Sequence, residues 1–313
     1  MRAVDGVSFE MDAGETLGIV GESGSGKSMT ALSILNLVPE PGRISGGQIL
    51  FKNRDVVTMT SGDLLEYRGG DVAMIFQDPM TSLNPVLRVG FQIEEAMRAH
   101  SRFDKRQAKA RVIPLLERVR IPSPKQRARD FPHQFSGGMR QRAMIAMGLA
   151  NEPSLLIADE PTTALDVTVQ AQILELLKEL NRELGTAIIL ISHNVAVISS
   201  LCTRVMVMYA GRVVESGPTR QVFDHPEHPY TWSLLRSVPR VDERRHERLI
   251  SIQGMPPDLS RLPTGCTFHP RCQFKVERCL REEPPLVEVA ADQEARCWVL
   301  MRNVSKESQA VRT

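Results

Sequence analysis

The sequence predicts an α/β fold in which a mostly parallel β-sheet is covered by helices on both faces. Short apolar runs, typical of buried strands, alternate with longer segments whose apolar residues recur at helical spacing. Strands that alternate with helices in this way form parallel sheets. The predicted strands are residues 4–10, 16–20, 47–51, 72–76, 155–158, 187–191, 204–209 and 212–216. The predicted helical segments are residues 29–37, 88–120, 137–149 and 169–184.

A glycine-rich loop follows the predicted strand 16–20. Residues 21–28 read GESGSGKS and fit the pattern G-x-x-x-x-G-K-[ST] without a mismatch. Glycines let backbone N–H groups surround phosphates, and the following helix adds the positive end of its dipole. Lys27 is expected to contact the β- and γ-phosphates, and the Ser28 hydroxyl is expected to ligate Mg²⁺. The loop therefore predicts binding of a nucleoside triphosphate.

Acidic and polar residues end three other predicted strands. Asp159 and Glu160 follow the run 155–158, at the carboxyl end of a strand, where parallel sheets bind ligands. Asp159 is expected to hold Mg²⁺, and Glu160 is placed to polarise an attacking water. Gln77 and His193 also follow strands, from which each side chain reaches towards a γ-phosphate or a water.

A second candidate phosphate site opens the helix 137–149. Ser136, Gly137 and Gly138 stand at its start, where free N–H groups and a hydroxyl suit an anion. One nucleotide has no need of two such helix starts from the same chain. The second start therefore suggests a contact with a nucleotide on a partner subunit.

Composition narrows the class of protein. The formal net charge is +2, which does not favour a bulk nucleic-acid binder. No apolar stretch reaches the roughly 18 residues that span a bilayer. Residues 1–10 are followed by no apolar segment of the kind found in signal peptides. We therefore expect the chain in the cytosol or on the inner face of a membrane.

The cysteines are concentrated near the C-terminus. Cys266, Cys272, Cys279 and Cys297 have the spacing C-x₅-C-x₆-C-x₁₇-C, whereas Cys202 stands apart and is expected to be a core thiol. This spacing matches neither the paired C-x₂-C of zinc ribbons nor a bacterial ferredoxin run. In a reducing compartment such clustering favours metal over disulfides. Zinc, an iron–sulfur cluster and four reduced thiols all remain open.

The order of the motifs resembles that of the nucleotide-binding subunits of ABC transporters. The shared motifs are GESGSGKS, Gln77, FSGGMRQR (135–142), LLIADEP (155–161), TALD (163–166) and His193. The resemblance implies a P-loop NTPase of the ABC ATPase type, with a mostly parallel sheet core, an α-helical subdomain and a cysteine-containing C-terminal extension. The implied domains are a RecA-like core at 1–87 and 150–217, a helical signature subdomain at 88–149, and an extension at 218–313.

The resemblance also implies the residues that serve ATP and Mg²⁺. Two ATPase subunits would form a head-to-tail dimer, with each ATP between one phosphate loop and the partner's Ser136-Gly137-Gly138. The implied catalytic residues are Glu160, His193 and Gln77, and the implied Mg²⁺ ligands are Ser28, Gln77 and Asp159. The implied ATP-binding residues are Gly21, Ser23, Gly24, Gly26, Lys27, Ser28, Met29, Ser136, Gly137, Gly138 and Asp166.

The tail is similar to the C-terminal extension of oligopeptide and dipeptide importers. The matching stretches are HPYT (228–231), PPDLSRLPTGCTFHPRC (256–272), EEPPL (282–286) and Cys297-Trp298. Some members of that group carry a [4Fe–4S] cluster on these cysteines, which makes it the preferred metal over Zn²⁺. The implied partners are a second ATPase subunit, two transmembrane permease subunits and an extracytoplasmic solute-binding protein. The implied location is the cytoplasmic side of the cell inner membrane.

Other functions fit the sequence less well. A nickel or other small-solute importer shares this tail and stays an alternative. A DNA-repair or chromosome-maintenance ATPase would insert long coiled coils between the phosphate loop and residues 135–142, and the sequence shows no sustained heptads there. A translation-associated ATPase would carry two such cassettes in one chain, and the sequence contains one. No nucleic-acid partner is expected.

Overall fold

The structure is a computed structural model that describes residues 1–78, 82–100, 102–163, 165–237 and 252–304. The chain divides into two compact units. The first unit comprises Met1–Glu10, Leu17–Thr30 and the described residues from Ile191 onward. The second unit comprises Met11–Thr16 and the described residues between Ala31 and Leu190. The domain boundaries implied by the resemblance stay predictions.

The elements follow one another in the alternation that the sequence predicts. The strands are β1 (Thr16–Val20), β2 (Leu50–Phe51), β3 (Arg54–Asp55), β4 (Val72–Ile75), β5 (Leu155–Asp159), β6 (Ala187–Ser192), β7 (Arg204–Tyr209), β8 (Arg212–Pro218), β9 (Val287–Ala290) and β10 (Gln293–Ala295). The helices are α1 (Lys27–Ile34), α2 (Ser61–Tyr67), α3 (Val89–Arg98), α4 (Lys105–Arg118), α5 (Pro124–Arg127), α6 (Gly137–Leu149), α7 (Val167–Leu184), α8 (Val195–Leu201), α9 (Thr219–Asp224), α10 (Pro229–Arg236) and α11 (Glu277–Arg281).

In the first unit, the strands lie side by side in the order β1, β7, β8, β10, β9. β1 and β7 are parallel, with Val20 opposite Val207, so the residue after β1 is level with Met208. β8 pairs antiparallel with β7, and β10 pairs antiparallel with β8. β1 is buried along its whole length, as its apolar sequence predicts.

In the second unit, the strands lie in the order β4, β5, β6. β4 and β5 are parallel, with Ile75 opposite Ala158, so both strands end at the same level. Helices α3, α4 and α6 pack on one another, and α6 also packs on β4. A Cβ at Gly148 would lie 3.4 Å from the Leu156 side chain of β5, which is an ordinary van der Waals distance, so the packing of α6 does not depend on glycine there.

Four expectations differ from the structure. The helical segment expected at 88–120 is two helices, Val89–Arg98 and Lys105–Arg118. Residues 4–10 form no strand, and Asp5 instead donates a single backbone hydrogen bond to Gly211. The strand expected at 47–51 is only Leu50–Phe51, which pairs with Arg54–Asp55 in a short hairpin. The tail contains β9 and β10, which the sequence did not predict, because strands this short show too few alternations of apolar and polar residues.

No helix within the described residues is long and apolar enough to cross a membrane.

Candidate functional site

The phosphate loop connects β1 to α1 in the first unit. A Cβ at Gly21 would lie 2.2 Å from the Met208 carbonyl oxygen, and a Cβ at Gly26 would lie 2.6 Å from that of Ala3. Larger residues would therefore displace backbone at both positions. The Gly211 N–H donates to the Ser25 carbonyl at 2.9 Å, which fixes the loop from the β7–β8 turn.

The side chains of this loop suit a polyphosphate. Lys27 is 5% exposed, and its Nζ donates to the carbonyls of Gly21 and Glu22, each at 2.8 Å. The Ser25 hydroxyl is buried and has no hydrogen-bond partner among the described residues. A buried hydroxyl without a partner is costly unless a ligand completes it. Ser28 is exposed in the first turn of α1, as an Mg²⁺ ligand must be.

The carboxylates occupy the end of β5 in the second unit. Asp159 is 5% exposed and is the last residue of the strand. Glu160 follows it with φ +47°, a left-handed conformation that is rare for glutamate and is found at functional sites. Its Oε2 accepts hydrogen bonds from Gln77 Nε2 at 3.1 Å and from Thr163 Oγ1 at 2.9 Å. The common level of β4 and β5 thus brings two predicted catalytic residues together.

The start of α6 packs against the start of α7, also in the second unit. Ser136 caps α6 by accepting the Met139 N–H at 3.3 Å, and Asp166 caps α7 by accepting the Val169 N–H at 2.9 Å. A Cβ at Gly138 would lie 2.6 Å from a Val169 methyl group, so the close approach of the two helix starts requires glycine there.

The remaining predicted residues of the nucleotide site lie directly after a strand, in the phosphate loop or in the first helix. His193 is exposed directly after β6, in the first unit. Ser23 and Gly24 are exposed in the phosphate loop, and Met29 is the third residue of α1. Their roles stay predictions.

The tail cysteines lie in the first unit. Burial, with a smaller contribution from the neighbouring thiols, raises the pKa of Cys272 to about 11 and that of Cys297 to about 12, so these thiols are neutral at pH 7. Cys202 lies in the core, as predicted, and burial raises its pKa to about 12. Within the described ranges, no three His, Cys, Asp or Glu side chains are arranged to hold a metal ion. The metal centre therefore stays a prediction.

Sequence reasoning missed two tail residues that contact the phosphate loop. Tyr230 and Arg271 both hydrogen-bond to Glu22, from more than two hundred residues further along the chain. Their motifs, HPYT and HPRC, were interpreted only as marks of the tail. Nothing in the spacing indicates the contact, because a glutamate at an unspecified position of the phosphate-loop pattern has no expected partner.

Comparison with known families agrees with this arrangement. The sequence profile of the ABC transporter family matches residues 4–163, which include the phosphate loop, the helical segment and both acidic residues. The chain belongs to the ABC transporter family. A second profile, described as the oligopeptide/dipeptide transporter C-terminal region, matches residues 214–279 of this ABC protein.

Curated relatives resemble this ABC protein over nearly its whole length. The oligopeptide transport ATP-binding protein OppD of Bacillus subtilis (strain 168) is 48% identical over 307 residues, 98% of this chain and 86% of that protein. The OppD of Haemophilus influenzae is 50% identical, covering 96% of this chain and 92% of that protein. The dipeptide transport ATP-binding protein DppD of Haemophilus influenzae is 50% identical, covering 93% and 88%.

Solved ABC cassettes share the fold. The ATP-binding cassette MJ0796, in a dimeric post-hydrolysis state bound to ADP and Pi, superposes with a TM-score of 0.62 at 28% identity, covering 70% of this chain and 91% of that chain. CbiO1 from Clostridium perfringens, part of the ABC transporter complex cbiONQ, gives 0.62 at 29% identity, covering 71% and 84%. The predicted fold, a P-loop NTPase of the ABC ATPase type, is confirmed.

Proposed function

We propose that this chain is the ATP-hydrolysing subunit that energises import of di- or oligopeptides across a bacterial inner membrane, from the cytoplasmic side. The observation that carries the proposal is the near-complete similarity to peptide transport ATP-binding proteins, at 48–50% identity. The match extends into the tail, where the profile of peptide transporters begins at residue 214. Peptide transport is therefore supported by the whole chain and not by the nucleotide site alone.

The phosphate loop would bind the triphosphate. Backbone N–H groups of the phosphate loop surround the phosphates, and Lys27 neutralises charge on the β- and γ-phosphoryl groups. Ser28, Asp159 and Gln77 would hold Mg²⁺, which stabilises negative charge on the transferred phosphoryl group. The buried, unpartnered Ser25 hydroxyl gives the loop a further donor for a phosphate oxygen.

Glu160 would activate the water that attacks the γ-phosphorus. Its carboxylate is held by Gln77 and Thr163, which fixes its direction before any substrate arrives. The water oxygen forms a bond to phosphorus while the bond from phosphorus to the bridging oxygen of ADP breaks, and Glu160 accepts the water proton. His193 would donate to the γ-phosphate.

The full transporter would contain further subunits. A second ATPase subunit would supply its own Ser136-Gly137-Gly138 or equivalent to the ATP on this chain, and this chain would do the same in return. Two transmembrane permeases and an extracytoplasmic solute-binding protein would complete the importer. Closure of the ATPase dimer on ATP would drive the permeases, and hydrolysis would reopen it.

Transport by the assembled complex tests this proposal. The chain is co-expressed with candidate permeases, a second ATPase and a solute-binding protein from the same organism, and the complex is reconstituted in sealed vesicles loaded with ATP. We expect uptake of radiolabelled di- or tripeptides that stops when Lys27→Ala is introduced. ATP-dependent uptake of Ni²⁺ without uptake of any peptide would assign the chain to the small-solute alternative and overturn the peptide proposal.

We propose further that the four tail cysteines take up a metal, [4Fe–4S] in preference to Zn²⁺. Cys272 and Cys297 each interact electrostatically with the other tail thiols, so the donors lie near one another. Metal binding would remove protons from these thiols, and some rearrangement would be needed to complete a ligand set. Anaerobically purified protein is expected to be brown, with about four iron atoms per chain. Stoichiometric zinc would replace the cluster, and absence of both metals would overturn the proposal.

A further inference from the structure

Residues 266–272, which we call the cysteine loop, contact the phosphate loop within the first unit. Arg271 of the cysteine loop donates two parallel hydrogen bonds to the Glu22 carboxylate, from Nη1 to Oε2 at 2.6 Å and from Nη2 to Oε1 at 3.0 Å. The Arg271 side chain is only 5% exposed. Bidentate, charge-assisted pairs of this kind are among the strongest and most directional contacts in proteins. Although burial alone would lower it, the contact with Glu22 raises the pKa of Arg271, so the residue stays charged.

Contacts other than Glu22 also hold the Arg271 guanidinium in place. Its Nε donates to the Gln253 carbonyl at 3.0 Å, and Nη2 also donates to the Gly254 carbonyl at 3.2 Å. A rigid donor set of this kind loses little conformational entropy when it pairs. The direction of the guanidinium is therefore set by the tail backbone and imposed on Glu22.

An aromatic cluster joins the cysteine loop to the core beside the phosphate loop. The Phe268 ring, 2% exposed, contacts the rings of Tyr209 and Tyr230 at centroid distances of 5.1 and 5.4 Å. Edge-on aromatic contacts of this kind fix the relative orientation of the elements that carry them. The cysteine loop is thus packed onto the end of β7, which is level with the start of the phosphate loop.

Glu22 is held at its main chain as well as its side chain. Its N–H donates to the buried Tyr230 hydroxyl at 2.8 Å, and its carbonyl accepts from Lys27 Nζ at 2.8 Å. The residue directly after Gly21 therefore has every polar group engaged, two of them by the tail. Its position is not left to the phosphate loop alone.

We propose that Arg271 is a positioning residue for ATP, which acts through Glu22 to set the affinity of the phosphate loop. A carboxylate in a loop that binds a polyanion repels that polyanion, and Arg271 cancels this charge and holds the carboxylate in one direction. The C-terminal extension is then part of the nucleotide site rather than an appendage to it. This inference rests on the proposed ATPase function.

The test compares ATP affinity in full-length variants. The Kd for AMP-PNP, a non-hydrolysable ATP analogue, is measured by titration calorimetry in the presence of Mg²⁺. The temperature is one at which circular dichroism shows every variant to be folded. Arg271→Gln is expected to raise Kd at least about tenfold, as loss of a charge-assisted pair implies. The double variant Arg271→Gln/Glu22→Gln is expected to recover most of that loss, because the uncompensated carboxylate is gone.

A matched control and a kinetic readout separate positioning from general stability. Arg281, in an exposed ion pair with Glu277 in the same tail, is changed to Gln and is expected to leave Kd unchanged. In the assembled complex, Arg271→Gln is expected to raise KM for ATP while kcat changes less than about twofold, since Arg271 touches no reacting atom. Arg271→Lys keeps the charge without the bidentate geometry, and is expected to fall between wild type and Arg271→Gln.

The outcomes that overturn the inference differ from those that overturn the function. An unchanged Kd in Arg271→Gln, or the same increase in the single and double variants, would remove the role of Arg271 while ATP binding by the wild type stood. Failure of the wild-type chain to bind AMP-PNP would instead remove the proposed ATPase function itself.

Discussion

At the scale of single residues, the sequence predicts candidate catalytic residues but not the residues that hold them in place. Roles can be predicted for Lys27 and Glu160 because each belongs to a local pattern, a glycine loop or a strand end, whose expected function follows from its neighbours in the chain. No role could be predicted for Arg271, because its partner Glu22 lies 249 positions away and no rule links the two. The left-handed conformation of Glu160 could not be predicted either, since no local pattern indicates a positive φ at a glutamate.

Glu160 is the residue whose loss should separate binding from turnover. Glu160→Gln keeps the size of the side chain and its contacts with Gln77 and Thr163 but cannot accept a proton. We expect ATP hydrolysis by the assembled complex to fall by about 100-fold or more, with Kd for ATP within about threefold of wild type. Phosphate release and nucleotide titration measure the two effects, and wild-type turnover in this variant would rule out a general-base role.

At the scale of elements, helices with strong patterns were predicted closely and short strands were not. The helix 137–149 has the predicted bounds, because Ser136 caps one end and the apolar pattern continues to the other. The tail strands β9 and β10 were missed, since their formation depends on pairing with β8. In β8 itself, the sequence gives no sign that Glu215 is fully buried.

The burial of Glu215 predicts a dependence of stability on pH. Its carboxylate accepts the N–H groups of Glu227 and His228 at 2.8 and 2.9 Å, and the Gln293 amide at 2.8 Å. Burial, which outweighs these hydrogen bonds, raises the pKa of Glu215 to about 7, from an ordinary value of 4.5. Because the folded pKa is the higher one, the stability from neutral Glu215 is complete below pH 4.5 and is lost as pH rises through 7.

Urea unfolding of wild type and Glu215→Gln at a series of pH values measures this dependence. Relative to the variant, wild type should lose up to about 3 kcal/mol of unfolding free energy between about pH 4 and pH 8. The control Glu288→Gln removes an exposed carboxylate of β9 and should change the pH profile little. Parallel profiles for wild type and Glu215→Gln would show that the pKa of Glu215 is the same in the folded and the unfolded chain, which would contradict the prediction.

At the scale of the whole molecule, family membership and fold followed from the order of the motifs. The residue patterns supply a list of ATP contacts, but one chain carries two candidate phosphate-binding helix starts, at Lys27 and at Gly137. Local residue spacing does not indicate which nucleotide each helix start binds, because this depends on how the subunits assemble. The solved cassette MJ0796, to which this chain is similar, is dimeric.

Paired lesions test whether the two helix starts serve different nucleotides. Lys27→Ala is introduced in this chain and the equivalent of Ser136→Arg in the second ATPase subunit, and the tagged mixed dimer is isolated. If Ser136 acts on the partner's nucleotide, both lesions fall in one site, and the dimer retains one ATP. If each chain uses its own Ser136, the two sites are both disabled and no ATP is retained. Filter binding of radiolabelled ATP distinguishes the two results.

The pairing of β10 with β8 also decides whether the cassette can exist without its tail. β10 supplies hydrogen bonds along the outer side of β8, through Glu294 opposite Ser216 and Ala295 opposite Glu215. A strand with an open side offers its N–H and C=O groups to other chains and invites aggregation. A chain cut after Gly217 should therefore elute as large, polydisperse species in size-exclusion chromatography, where the full chain elutes as a defined one. The nucleotide-binding part of the chain would then need its tail to remain soluble, and the two could not be produced as separate proteins.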